Sequence, residues 1–303
     1  MATTETPRIL LIVGSARSGS TLAGTLAGRF TNASYLGELI HFWDRGLALD
    51  HLCGCEQQFS ACSFWNAVVQ NAGLAGENAM ARHDQLHAAL KVHSLRRWNT
   101  PENRTSDYQD MLNLITRLYE SAAQIARTPW LVDSSKHPIY ARLLVDCFGA
   151  DRVHVLHLVR DPRGVAYSAA KKRPKIDSGR AGDMMTQRSY LQSGLAWLKV
   201  QVSAEALRGT TGTYQRIKYE QLCEFGAEAL MPYLNELPEI GVYSPQFKTD
   251  HTVSGNPARL AGFSKINADT SWRNEISGIN ASTVAAITLP FLIRYGYANA
   301  IGK

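Results

Sequence analysis

The apolar run Ile9-Leu10-Leu11-Ile12-Val13 leads straight into Gly14-Ser15-Ala16-Arg17-Ser18-Gly19-Ser20-Thr21, and a helix-forming stretch opens at Thr21. These residues constrain the fold more than any others in the chain. They follow the phosphate-loop pattern G-x-x-x-x-G-K-[ST] with one change, because Ser20 stands where the lysine belongs. A buried strand, a glycine-rich turn and a helix N-terminus aim several backbone N–H groups at one anion, and the helix dipole adds partial positive charge. A nucleoside triphosphatase needs the loop ammonium on its β- and γ-phosphates. A loop that keeps the amide cradle but carries its cation at Arg17 suits a donor with one 5′-phosphate and a different group to transfer.

The pattern of strand followed by helix then repeats. Residues 8–13 read as strand one and 19–30 as helix one. A short strand is expected at 33–37 and a short helix at 38–49, carrying Glu38, His41 and Trp43. Residues 50–66 are irregular and Cys-rich. Residues 82–97 and 107–126 have helical periodicity. Further strands are expected at 130–133, 153–159 and 213–219, with helices at 139–147, 162–172 and 184–207 and another after Glu220. Ser134 to Pro138 is expected to leave the second long strand, and Asp161-Pro162 to cap the helix after the third. Alternating elements of this kind predict an α/β fold, a doubly wound parallel sheet flanked by helices with ligands at the strand C-termini. Residues 1–303 are expected to form a single domain, with a helical, Cys-rich insertion spanning 40–128. Trp43, Phe64, Trp65 and Trp98 are candidate stacking surfaces in that region.

A net charge of +6 favours an anionic ligand, but the basic residues form no aromatic-interleaved stripe, so nucleic acid is not the expected partner. The N-terminal residues lack the pattern of a signal peptide and no apolar run reaches a membrane span, which predicts a cytoplasmic chain. Five cysteines in such a chain argue against a disulfide framework. Cys53-Gly54-Cys55 with Cys62 resembles part of a zinc site, but no fourth ligand stands at the usual spacing, although His51 lies close. The expectation is three semi-buried thiols in a compact loop, with no metal assigned.

Arg17 follows the first strand, Lys136 and His137 the second, and Arg160 the third, so four basic groups converge on one sheet edge. Arg160 leaves its strand eight residues before Ser168 in the next helix. A guanidinium fork and a hydroxyl there can hold a second phosphate, separate from the loop.

In these motifs the chain resembles the sulfotransferases that use 3′-phosphoadenosine 5′-phosphosulfate (PAPS) and release 3′-phosphoadenosine 5′-phosphate (PAP). Gly14 to Thr21 is similar to that family's 5′-phosphosulfate loop in an Arg-Ser-Gly-Ser variant. Leu158 to Ser168 is similar to its 3′-phosphate motif, with Arg160 and Ser168 at the family spacing. Lys218 to Leu222 resembles the strand-end segment whose tyrosine, here Tyr219, contacts adenine. Gly255 to Arg259, followed by Asp269 to Arg273, resembles a C-terminal element of bacterial members. The Gly37-Glu38-Leu39 segment and the Cys53…Trp65 loop also look like those members. The likeness spans residues 8–275.

The resemblance implies a donor site of Ser15, Ala16, Arg17, Ser18, Gly19, Ser20, Thr21, Arg160, Ser168, Tyr219 and Arg259. The reaction implied is in-line sulfonate transfer to a hydroxyl of a small-molecule, sugar or natural-product acceptor, without a metal. Glu38 is the first candidate for the base and His137 the second. Lys136 would act on the sulfonate or bridging oxygen, with Arg17 and Ser20 beside it. The chain departs from the small-phenol enzymes in having Arg17 for lysine and in placing Lys136 directly before His137. The rival reading from the same loop is a nucleotide-dependent kinase, with Asp133 as the only candidate for its metal-binding aspartate.

Overall fold

The computed structural model describes residues 6–92, 105–172, 174, 178, 183–246, 250–256 and 268–298. Five strands form one sheet: β1 (Arg8–Gly14), β2 (Ala33–Tyr35), β3 (Trp130–Lys136), β4 (Val153–Val159) and β5 (Thr213–Lys218). Their order is β2-β3-β1-β4-β5 and every pairing is parallel. The helices that position the site are α1 (Ser20–Ala27), α2 (Ser63–Asn71), α3 (Ala79–Val92), α4 (Ser106–Ala126), α5 (Pro138–Phe148), α6 (Pro162–Ala170), α7 (Tyr190–Glu205) and α8 (Tyr219–Phe225).

Strands β1 and β4 and the first half of β3 are mostly apolar because both faces of the sheet are covered there, whereas the edge strand β5 is largely polar and only half-buried. Ile9, Leu11 and Val13 of β1 pack into one core with side chains of α2, α3, α4 and α5. Leu10 and Ile12 pack into a second core with Leu22 and Ala23 of α1 and Leu222 of α8. Helix α6 starts as its sequence dictates: Asp161 accepts from the Arg163 N–H, and Pro162 occupies the first turn. The doubly wound parallel sheet is therefore observed. Among the described residues no helix is long and apolar enough to cross a membrane.

Three local expectations change. Helix α1 ends at Ala27, with Gly28 as its C-cap, rather than near residue 30. The expected helix at 38–49 is a 3-10 turn, Leu39–His41, followed by a π-helical segment, Phe42–Ala48. The wider winding buries both Phe42 and Trp43 in the core, while His41 and Arg45 line the cleft described below. Strand β3 does not end at Asp133. It runs on to Lys136, held by the Ser134 N–H donating to the Gly37 carbonyl at 2.7 Å.

A helix absent from the sequence reading, Gly278–Arg294, packs against α6 and α7 through Val165, Trp197 and Leu292. Glu205, at the end of α7, ties it down. One carboxylate oxygen accepts from Arg216 at 2.9 Å and from the Tyr295 hydroxyl at 3.0 Å, and the other accepts from Arg294 at 3.0 Å. Burial favours the neutral carboxyl, but the Tyr295 hydrogen bond and the Arg216 and Arg294 charges outweigh it and hold the pKa at about 2. A pKa depressed on folding stabilises above the unfolded value, and that stability is lost as pH falls toward the folded one. Glu205→Gln should therefore lower Tm at neutral pH, with a deficit that shrinks below about pH 4. Thermal scans across that range would reject the assignment if the deficit stayed constant.

Candidate active site

The loop after β1 is packed too tightly for most side chains. A Cβ on Gly14 would lie 2.4 Å from the Leu158 carbonyl oxygen of β4. Gly19 has φ 90°, and a Cβ there would lie 2.4 Å from the Tyr219 ring. Arg17, at φ 67°, also holds a left-handed conformation. Helix α1 opens at Gly19 with no capping side chain. Its first N–H groups therefore stay directed at the loop. The Ser15 and Ser18 hydroxyls are buried without a hydrogen-bond partner among the described residues. Buried unpartnered hydroxyls are costly unless something accepts from them. Donors at a helix N-terminus beside a guanidinium fit an anionic group.

The end of β3 sorts two neighbouring cations. The register between β1 and β3 slips by one residue, from Leu11 opposite Asp133 to Val13 opposite Lys136. Lys136 takes φ 66°. This bulge aims Lys136 into the cleft, where its ammonium pairs with the Glu38 carboxylate. His137 lies at the start of α5 and is not part of the cleft lining. Burial, then the nearby His87 and Lys199, push its pKa down to about 4.

Glu38 is 7% exposed. Its N–H donates to the Val253 carbonyl at 2.7 Å, and a Cβ on the preceding Gly37 would lie 2.4 Å from that same oxygen. Burial raises the Glu38 pKa, yet Lys136, His41 and Arg45 together outweigh it and hold the carboxyl below its usual range. Glu38 is thus ionised at neutral pH. His41 lies between two carboxylates, 3.8 Å from Glu38 and 3.2 Å from Asp44.

Arg160 and Ser168 are 6% and 4% exposed and sit behind the cleft wall rather than on it. Arg160 donates to the Arg17 carbonyl at 3.0 Å and to the Asp269 carbonyl at 3.1 Å, and its guanidinium lies 4.5 Å from the centre of the Tyr219 ring. Tyr219 in turn covers Gly19. These contacts bind the ends of β1, β4 and β5 into one unit. Arg259 and Trp98 lie outside the described residues.

Asp133 does not serve as a cleft aspartate. It is fully buried and accepts from the Tyr119 hydroxyl at 2.5 Å and from the Ser135 N–H and hydroxyl at 2.7 and 2.6 Å. Burial raises its pKa to about 6 against those hydrogen bonds. Its hydrogen bond to Tyr119 joins α4 to β3, and it does not line the cleft. Trp43 and Trp65 are core residues, 1% and 0% exposed, so neither offers a stacking face.

The assembled cleft has a volume of about 730 Å³. Ser15, Ala16, Arg17, Gly19, Ser20 and Thr21 line one wall, with Glu38, Lys136 and Tyr219 around them. The structure adds Arg45, Arg188, His41 and Asn256, which the sequence reading did not assign to the site. Of these, His41 and Arg45 carried a signal, three and seven residues after Glu38 on a short helical segment. Asn256 lies in the Gly255 to Arg259 segment but was given no role there, and Arg188 carried no signal, because the chain reaches the cleft there from a distant element.

No protein-family model matches the sequence, and no curated protein matches it either. Solved structures do. The sulfotransferase STF9 from Mycobacterium avium superposes with a TM-score of 0.51 at 12% identity, over 96% of this chain and 77% of that one. The sulfotransferase domain of the curacin biosynthetic pathway gives 0.48 at 17% identity, over 94% and 97% of the two chains. The sulfotransferase domain of the Synechococcus PCC 7002 olefin synthase gives 0.44 at 18%, over 94% and 96%. At such identities the likeness is one of fold: this chain has the sulfotransferase fold.

Proposed function

We propose that the protein is a sulfotransferase that takes PAPS as donor and a hydroxyl-bearing small molecule, sugar or natural product as acceptor. The observation that carries this reading is the Lys136–Glu38 pair. A half-buried ammonium and a buried, ionised carboxylate face the N-terminus of α1 across one cleft. The unpartnered Ser15 and Ser18 hydroxyls fit the phosphate end of such a donor. Residues 40–128 would then shape the acceptor side.

When bound, the donor supplies an activated sulfonate on a phosphate leaving group. The chain's own residues supply the rest. The amides at the start of α1, with Arg17 and Ser20, hold and orient the phosphate. Glu38 takes the proton of the acceptor hydroxyl at a carboxylate oxygen, as a general base. Lys136 stabilises negative charge on the departing oxygen. Protonation of Glu38 would loosen its pairing with Lys136, so the two groups act in sequence. Arg160, Ser168, Tyr219 and Arg259 are assigned to the nucleotide and its 3′-phosphate.

PAP should bind more tightly than ATP or ADP, because the assigned phosphate groups are separated and the loop lacks its lysine. Isothermal titration calorimetry with the three nucleotides tests this. Equal or tighter binding of ATP would overturn the reading.

A further inference from the structure

The Cys-rich loop acquires the ligand that sequence spacing did not supply. Sγ of Cys53, Cys55 and Cys62 and a ring nitrogen of His251 all lie within 4.8 Å of one another. The Cys55 and Cys62 sulfurs are 3.6 Å apart, and Nδ1 of His251 is 3.3 Å from the Cys62 sulfur and 3.9 Å from that of Cys53. Zn–S bonds of about 2.3 Å and Zn–N bonds of about 2.0 Å set tetrahedral edges of roughly 3.8 Å between sulfurs and 3.5 Å between sulfur and nitrogen. The three separations above lie within about 0.4 Å of those edges, and the whole set is compact enough to close on one ion. His51, the nearer histidine in sequence, is not in the cluster.

We propose that Cys53, Cys55, Cys62 and His251 bind one structural zinc ion. Three thiolates and an imidazole are the soft, closed tetrahedral set that selects zinc, and four protein ligands leave no position for substrate. A disulfide would use two of the three sulfurs and no histidine, so it does not account for the convergence. On binding, the three thiols release their protons and the ion is held by three thiolates and neutral Nδ1.

The surrounding chain is built to present these atoms. The Cys53 N–H donates to the Gln57 carbonyl at 2.8 Å, which closes the Cys53–Cys55 turn. Cys62 precedes the first turn of α2, where the helix dipole favours a thiolate. A Cβ on Gly54 would lie 2.2 Å from the Asp250 carbonyl oxygen, so glycine alone lets the turn meet the histidine segment. The Gly54 N–H donates to Thr252 at 3.1 Å, and the Trp65 indole N–H donates to the His251 carbonyl at 3.0 Å. The His251 imidazole lies stacked on Phe64, with centroids 4.8 Å apart and planes at 8°.

The ion would staple segments 189 residues apart. The stapled strap leads to the cleft, since Val253 accepts from the Glu38 N–H and the Asn256 N–H donates to Thr21 at 3.2 Å. The role inferred is therefore to hold the strap against Glu38 and α1, with no part in bond making.

The test is metal analysis of the full chain, purified in reductant without chelator and read by plasma mass spectrometry. One zinc per chain is expected, released when a mercurial titrates the thiols. Exchange with Co2+ should give the strong visible bands of a tetrahedral thiolate site. Cys55→Ser and His251→Ala should lose the metal, and Cys147→Ser should keep it. Several results would overturn the proposal: a wild-type chain without zinc that gives no Co2+ spectrum, iron in place of zinc, a Cys55–Cys62 disulfide on mass mapping, or folded variants that retain one zinc. The wild-type readouts stand even if a variant fails to fold. None depends on sulfonate transfer, so the two proposals fail separately.

Discussion

Glu38→Gln is expected to cut turnover by roughly 10²–10⁴-fold while leaving the affinity for PAP unchanged, because a general base acts on the acceptor's proton alone. A base must be unprotonated and must reach the substrate. Glu38 meets both conditions: the cations around it keep it ionised, and it lines the cleft. His137 meets only the first, since it is held neutral at neutral pH but is no part of the lining. His137→Ala should therefore leave turnover within a few-fold of wild type, with steady-state rates and calorimetry measured side by side. If His137→Ala abolished turnover and Glu38→Gln stayed active, the roles would be exchanged. A loss of PAP affinity in Glu38→Gln would mean instead that the carboxylate acts by holding Lys136 in place.

Arg160→Ala should weaken PAP binding by about 10- to 150-fold, the equivalent of a charged hydrogen bond worth roughly 1.5–3 kcal/mol. The structure gives this residue two ways to matter. Its guanidinium braces the loop through the Arg17 carbonyl and stacks on Tyr219, and its remaining N–H groups can meet a phosphate. Arg160→Lys separates these, because an ammonium keeps the charge and loses the fork. Affinity retained in Arg160→Lys would assign the effect to charge, and affinity lost in both variants would assign it to the fork. Arg160→Ala within twofold of wild type would remove the residue from the nucleotide site. Ser168→Ala should cost less than Arg160→Ala, because it removes a neutral hydroxyl instead of a charge.

Much of the fold was legible because its signals are local. The β1–loop–α1 unit is written in one apolar run and two glycines. Helix α6 is announced by Asp161-Pro162, and the buried strands by continuous apolar residues. The convergence of Arg17 and Lys136 on one edge followed from parallel topology alone. Short-range physics decides such features, so the sequence by itself determined the parallel sheet, the edge of it that carries the cleft and the glycine-rich loop after β1.

What the tertiary structure decided depends on contacts between distant segments. A one-residue slip of β3 against β1, with Lys136 left-handed, turned that lysine into the cleft and kept the adjacent histidine out of it. No local pattern encodes a register slip, because the partner strand imposes it. The wide winding at Phe42–Ala48 buries two aromatic residues against a core built by other elements, so propensity misread it as an ordinary helix. Asp133 became a buried anchor once Tyr119 of α4 packed over it. His251 has no spacing relation to Cys53, Cys55 and Cys62. It reaches them because Gly54 admits its backbone and Phe64 and Trp65 hold it there.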